Sequence, residues 1–125
     1  MNDPRNSALL DMEQIEELLF LDGGRGGVLE KFVAAFNTHV PETIATLRAA
    51  VEAADFAAIN ASAHKMKGSA GNLGASHLAG ICLKLEMAGK NKDSTALPEL
   101  MVAIDNGFAA SGVALQALLD DIRKS

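Results

Sequence analysis

A chain of 125 residues is long enough to bury one hydrophobic core and too short for two. Eleven basic against 16 acidic residues give a formal net charge of −5, which, with no extended Lys/Arg cluster, argues against nucleic acid as a partner. Hydrophobic residues make up 49% of the chain but aromatics only 4%, with no Trp or Tyr, so the apolar content suits closely packed helices.

Residues 1–8 are expected to form a flexible N-terminus, and residues 9–124 a single helical-bundle domain. The first periodic segment runs from Leu9 to Phe20, with Asp11 able to cap it and Met12, Ile15, Leu18 and Leu19 at helical spacing. Four glycines between Asp22 and Gly27 end it. A long helix is predicted from about Val28 to Ala54, its apolar stripe formed by Leu29, Phe32, Val33, Phe36, Val40, Ile44, Leu47 and Val51. Pro41 removes a backbone donor within it, and because the stripe keeps its phase across the proline, a kink is expected rather than a break.

Asp55 is expected to start the next helix, which ends near Leu73 or Gly74. Another is predicted from about Ser76 to Gly89, with Leu78, Ile81, Cys82 and Leu85 on one face. A polar loop from Lys90 to Thr95 leads to a last helix, from about Ala96 to Lys124. Pro98 falls in its first turn, where proline is tolerated. Together these elements predict an all-α fold: an antiparallel up-down-up-down four-helix bundle with an additional short N-terminal helix packed at one end. The lone Cys82 allows no internal disulfide and suits a reducing compartment. No stretch reads as a signal peptide or as the roughly 20 apolar residues that cross a bilayer, so a cytoplasmic chain without a membrane partner is expected.

The informative helix is the one after Asp55. Ile59, Ala63, Met66, Ala70 and Leu73 define its buried side, which turns His64 outward, roughly 140° away at 100° per residue. Around His64 the outward face carries Ala57, Asn60, Ala61, Lys67, Gly68 and Gly71. An ordinary solvated face carries long charged residues, and a glycine within a helix costs about 1 kcal/mol relative to alanine. Access explains the pattern: Gly68 leaves the imidazole uncovered, and the flat surface of Ala57, Asn60, Ala61 and Gly71 forms a docking patch for another protein.

Neutral imidazole is a nucleophile near neutral pH and can take a phosphoryl group from an aspartyl phosphate. Lys67, three residues on, can neutralise the incoming oxygens, and Ser69 can support Lys67 or the local backbone. The segment has no P-loop and no carboxylate cluster for Mg²⁺. The chain is therefore expected to bind no cofactor itself, with the acyl phosphate and the Mg²⁺ held by a partner.

The run Ala63-His64-Lys65-Met66-Lys67-Gly68-Ser69-Ala70-Gly71-Asn72-Leu73-Gly74-Ala75 resembles the signature of histidine phosphotransfer (HPt) domains, and the weaker pattern around it extends the resemblance over about residues 9–123. Met66 replaces a common leucine, and Ala70 replaces a serine found in many members. The resemblance implies that His64 is the phosphoacceptor, through Nε2. It also implies that Lys67 helps hold the phosphoryl group, that Gly68 gives clearance to a receiver domain, and that Gly74 closes the helix. The chain would be a monomeric phosphocarrier without a kinase ATP site. It would pass phosphate between aspartates of receiver domains, those of a hybrid histidine kinase or a response regulator, in a multistep phosphorelay.

The alternative is an adaptor bundle that binds receivers without accepting phosphate. A kinase dimerisation domain fits less well, since Lys65 stands where an acidic residue usually follows the histidine. His39, His77 and Cys82 read as structural, and Glu86 reads as an ion-pair partner of Lys90 on its own helix.

Overall fold

Local capping sets where the helices begin. The computed structural model describes residues 9–124, and the N-terminal segment expected to be flexible lies outside them. Helix α1 spans Met12–Phe20, and the Asp11 carboxylate accepts from the backbone N–H groups of Glu13 and Gln14 at 3.1 and 3.4 Å. Helix α2 spans Gly27–Glu52 behind the glycine turn. Its N-cap, Gly26, has no side chain to offer, and the Asp22 carboxylate takes that role by accepting from Gly26 N at 3.3 Å and Val28 N at 2.9 Å. The Val28 bond above all holds the Asp22 carboxyl below the usual carboxylate range, so this stabilisation is present at neutral pH and lost as pH falls through the lowered value.

Pro41 lies inside α2 without breaking it. It sits on the exposed side, and its missing N–H leaves the carbonyl of Asn37, also an exposed residue, without its i+4 donor. Helix α3 spans Phe56–Asn72, with Asp55 accepting from Ala58 N at 3.1 Å. Gly74, at φ +79°, turns the chain into α4, Ser76–Lys90, and a short loop leads to α5, Leu97–Lys124.

Helices α2 and α4 each pack against both α3 and α5, which closes the four into a ring around the core. Helix α1 lies across the end where α3 turns into α4. There Asp11 N donates to Gly74 O at 2.7 Å, His77 N to Leu9 O at 3.2 Å, and Gln14 Nε2 to Asn72 O at 2.9 Å. Ile15, Leu29, Leu47, Ile59, Met66, Leu73, Leu78, Leu85, Ile104, Leu115 and Leu118 are fully buried at the centre. Cys82 is buried with them, and burial pushes its thiol up to about 12, the behaviour of a core residue.

Two sequence expectations change. Phe32 was placed on the buried stripe of α2 but is 41% exposed. In the middle of α5 the buried positions are Gly107 and Ser111, and Phe108 is half-buried, its ring 5.2 Å from that of Phe36. Among the described residues α5 is the one helix long and apolar enough to cross a membrane. Its apolar positions Met101, Ile104, Leu115, Leu118 and Leu119 instead line the bundle core.

The tightest contact in the bundle is between α3 and α4. A Cβ on Gly89 would lie 2.7 Å from Asn60 N and 2.8 Å from Phe56 O, so glycine lets the two backbones come together there. This close pairing fixes the register that builds the site.

Candidate functional site

The α3–α4 hairpin turns at Ala75, and His64 and Glu86 lie the same number of residues to either side of it. Antiparallel pairing therefore sets them opposite each other. His64 points outward, its side chain 69% exposed, and its Nδ1 is 2.7 Å from Glu86 Oε2. The other carboxylate oxygen, Oε1, accepts a short hydrogen bond from the Lys67 ammonium. The Glu86 side chain is only 14% exposed, and that of Lys67 33%, so the anion is sheltered between two donors while the imidazole stays open. The bond from Lys67, then that from His64, holds the Glu86 carboxyl below its ordinary range, against the opposing effect of burial.

The sequence reading brought His64 and Lys67 together but missed Glu86, which it paired with Lys90. The structure gives Glu86 to α3 instead. The signal that could have found it is the equal spacing from the interhelix turn, which matters only once the two helices are known to pair.

Gly68 and Gly71 are exposed, and a Cβ on either would meet nothing within 4 Å, so no packing within the fold demands glycine there. Ala57 and Ala61 are exposed beside them. Asn60, expected on the docking patch, is instead half-buried at the α3–α4 seam, where its Nδ2 donates to the backbone carbonyl of Glu86 at 2.8 Å. Ser69 turns toward α2. Its hydroxyl donates to Lys65 O at 3.3 Å, and it lines a largely apolar groove of about 210 Å³ with Phe32, Ala35, Phe36, His39, Asn72 and Leu73. Its hydroxyl thus bonds the local backbone and not Lys67. Replacing Ser69 with Ala is expected to leave phosphate uptake within about twofold of the parent, since the lost bond is a local one worth ~1 kcal/mol or less; initial uptake rates would check this. Among the described residues no three His, Cys, Asp or Glu side chains converge on a point that could hold a metal ion.

The model of the Hpt domain family matches residues 31–125 of this chain. The chain belongs to the Hpt domain family. Among curated proteins it is similar to the phosphorelay intermediate protein YPD1 of Candida albicans, with 25% identity over 113 residues. The match covers 89% of the chain but 61% of the length of that relative. Among solved structures, the histidine-containing phosphotransfer protein B (HptB) of Pseudomonas aeruginosa superposes with a TM-score of 0.81 at 25% identity, covering 96% of this chain and 99% of the other. A rice chain assigned to the histidine-containing phosphotransfer proteins gives 0.79 at 23% identity, over 94% of this Hpt chain and 84% of its own, a likeness of fold.

Proposed function

We propose that this Hpt chain is a phosphocarrier, which accepts a phosphoryl group on His64 from the aspartate of one receiver domain and yields it to the aspartate of another. The observation that carries this reading is the outward imidazole of His64, uncovered by Gly68 and tied through Glu86 to the Lys67 ammonium. A nucleophile is thereby exposed with a cation beside it, the two elements that in-line phosphoryl transfer asks of the receiving side. The partner brings the acyl phosphate and the Mg²⁺ that neutralises it. Family membership supports the reading, as do the names of the Candida and Pseudomonas relatives. A monomer working in the cytoplasm belongs to the same proposal, and the buried thiol of Cys82 suits that setting.

The test is to mix the purified chain with a phosphorylated receiver domain and follow the phosphate, with His64→Gln as control. An acid-labile, base-stable phosphate on the parent and none on the variant is expected. No label from several receivers or from phosphoramidate would overturn the carrier reading and leave an adaptor that docks without chemistry.

A further inference from the structure

We infer that Lys90 and Lys92 form a cationic rim beside the His64 face that captures the carboxylates around a receiver's Mg²⁺ site, an inference that rests on the carrier reading above. Charge is divided unevenly along this chain. Five lysines against three carboxylates give residues 55–95, the α3–α4 hairpin and its flanking loops, a formal net charge of +2, whereas the whole chain carries −5. The pairing of these charges differs as well. Arg48 and Arg123 are tied to Asp105 at 2.9 Å and to Glu30 at 2.6 Å. Glu86, the expected partner of Lys90, turns to α3 instead, and among the described residues neither Lys90 nor Lys92 has an ion-pair partner. The carboxylates at this end of the hairpin, Asp55 and Asp93, accept from the backbone N–H groups of Ala58 and Thr95.

Both lysines are exposed and line an open hollow of about 490 Å³ with Phe56, Ala57, Asn60 and Gly89. Ala57 lies two turns before His64 on the same face of α3, so the hollow continues the patch on which a partner would settle. Lys90 is one turn beyond Glu86, about 6 Å along α4, and Lys92 stands past the helix end. The backbone at Lys92 is unusual for a lysine. Its N–H donates to Gly89 O at 3.2 Å and that of Asp93 to Ala88 O at 2.9 Å, closing α4 at a φ of +53° that glycine adopts more readily. Helix closure alone therefore does not call for lysine there. A partner that brings Mg²⁺ and an acyl phosphate supplies the complementary charge, because Mg²⁺ is held by carboxylate oxygens. Cations at the rim of such a contact act on the rate of encounter more than on the chemistry.

The test sets the double variant Lys90→Gln, Lys92→Gln beside the parent with two donors, a phosphorylated receiver domain and phosphoramidate. With the receiver, the second-order rate of phosphate uptake at low salt should fall by roughly tenfold in the double variant. Its decline between about 20 and 300 mM salt should also be shallower than the parent's. With phosphoramidate, which needs no docking, the two proteins should take up phosphate at equal rates. Lys92→Gly separates the charge from the turn, since it should melt no lower than the parent and yet slow uptake from the receiver. Ala54→Gly, at the matching φ of +52° after α2, should leave that uptake unchanged. Parental uptake and salt dependence in the double variant would overturn the inference. So would an equal loss with phosphoramidate, which would place the lysines on the phosphoryl group itself. A parent that takes phosphate from neither donor would defeat the carrier reading instead, and calorimetry of receiver binding at the two salt concentrations would still decide whether the rim docks a partner.

Discussion

Gly68→Gln is expected to yield a protein slightly more stable than the parent and nearly inert in phosphotransfer. Stability should rise because a Cβ at position 68 meets open space and the residue lies inside α3 on its exposed face. Glutamine favours a helix over glycine by roughly 0.5 kcal/mol, a gain of about 2 °C in melting temperature for a domain of this size. Function should fall, on the carrier reading proposed above, because the new side chain stands one turn from His64, where the aspartyl phosphate of a receiver would come within attack distance of Nε2. Misplacing reacting atoms by about 1 Å can cost on the order of 100-fold in rate. Thermal melts followed by circular dichroism, paired with transfer assays, read both effects. Parental transfer in a folded variant would sink the access argument, and a variant that fails to fold would contradict the open space found at this position.

The same change of glycine to alanine should have opposite signs at two positions of this bundle. Gly68→Ala should stabilise by about 1 kcal/mol, the full helix-propensity difference. Gly89→Ala gains the same propensity but forces a methyl group to within 3 Å of the Asn60 and Phe56 backbones, atoms that cannot swing aside. Overpacking of this kind costs about 1–3 kcal/mol and more where backbone must move. A net loss on the order of 2 kcal/mol is expected, measurable as a lower urea midpoint. The loss should reach function too, because separating α3 from α4 moves Glu86 away from His64 and Lys67. A Gly89→Ala protein as stable as the parent would mean that the hairpin is looser than its geometry indicates.

These two glycines also mark what could be read from the sequence. Gly68 was legible because its surroundings, an outward histidine and a run of small residues, are local to one helix and follow from its period. Gly89 was read only as a helix end, because what it permits is an approach between two helices, and single-chain periodicity carries no interhelix distance. The same division separates Lys67, found by its spacing from His64, from Glu86, whose partners lie across the hairpin. Asn60 and Ser69 show the limit within one helix. Asn60 was placed on the outward patch and Ser69 given two possible partners, but each sits toward a neighbour, α4 for Asn60 and α2 for Ser69, and this decides what the side chain bonds. Apart from the start of α1, three residues later than the periodic segment began, the helix bounds came within a residue or two because Asp11, Asp55, Pro98 and the glycine turns are chemical punctuation. The unbroken run of α2 through Pro41 was likewise legible, because its apolar stripe keeps phase across the proline.

A single imidazole on the exposed face of one helix can serve only one visitor at a time. If the chain is the carrier proposed above, donor and acceptor would alternate at the same spot, and no ternary assembly would pass phosphate directly through it. Kinetics of the double-displacement kind would then be expected, with parallel lines in reciprocal plots. An excess of either unphosphorylated partner should act as a competitive brake on the other.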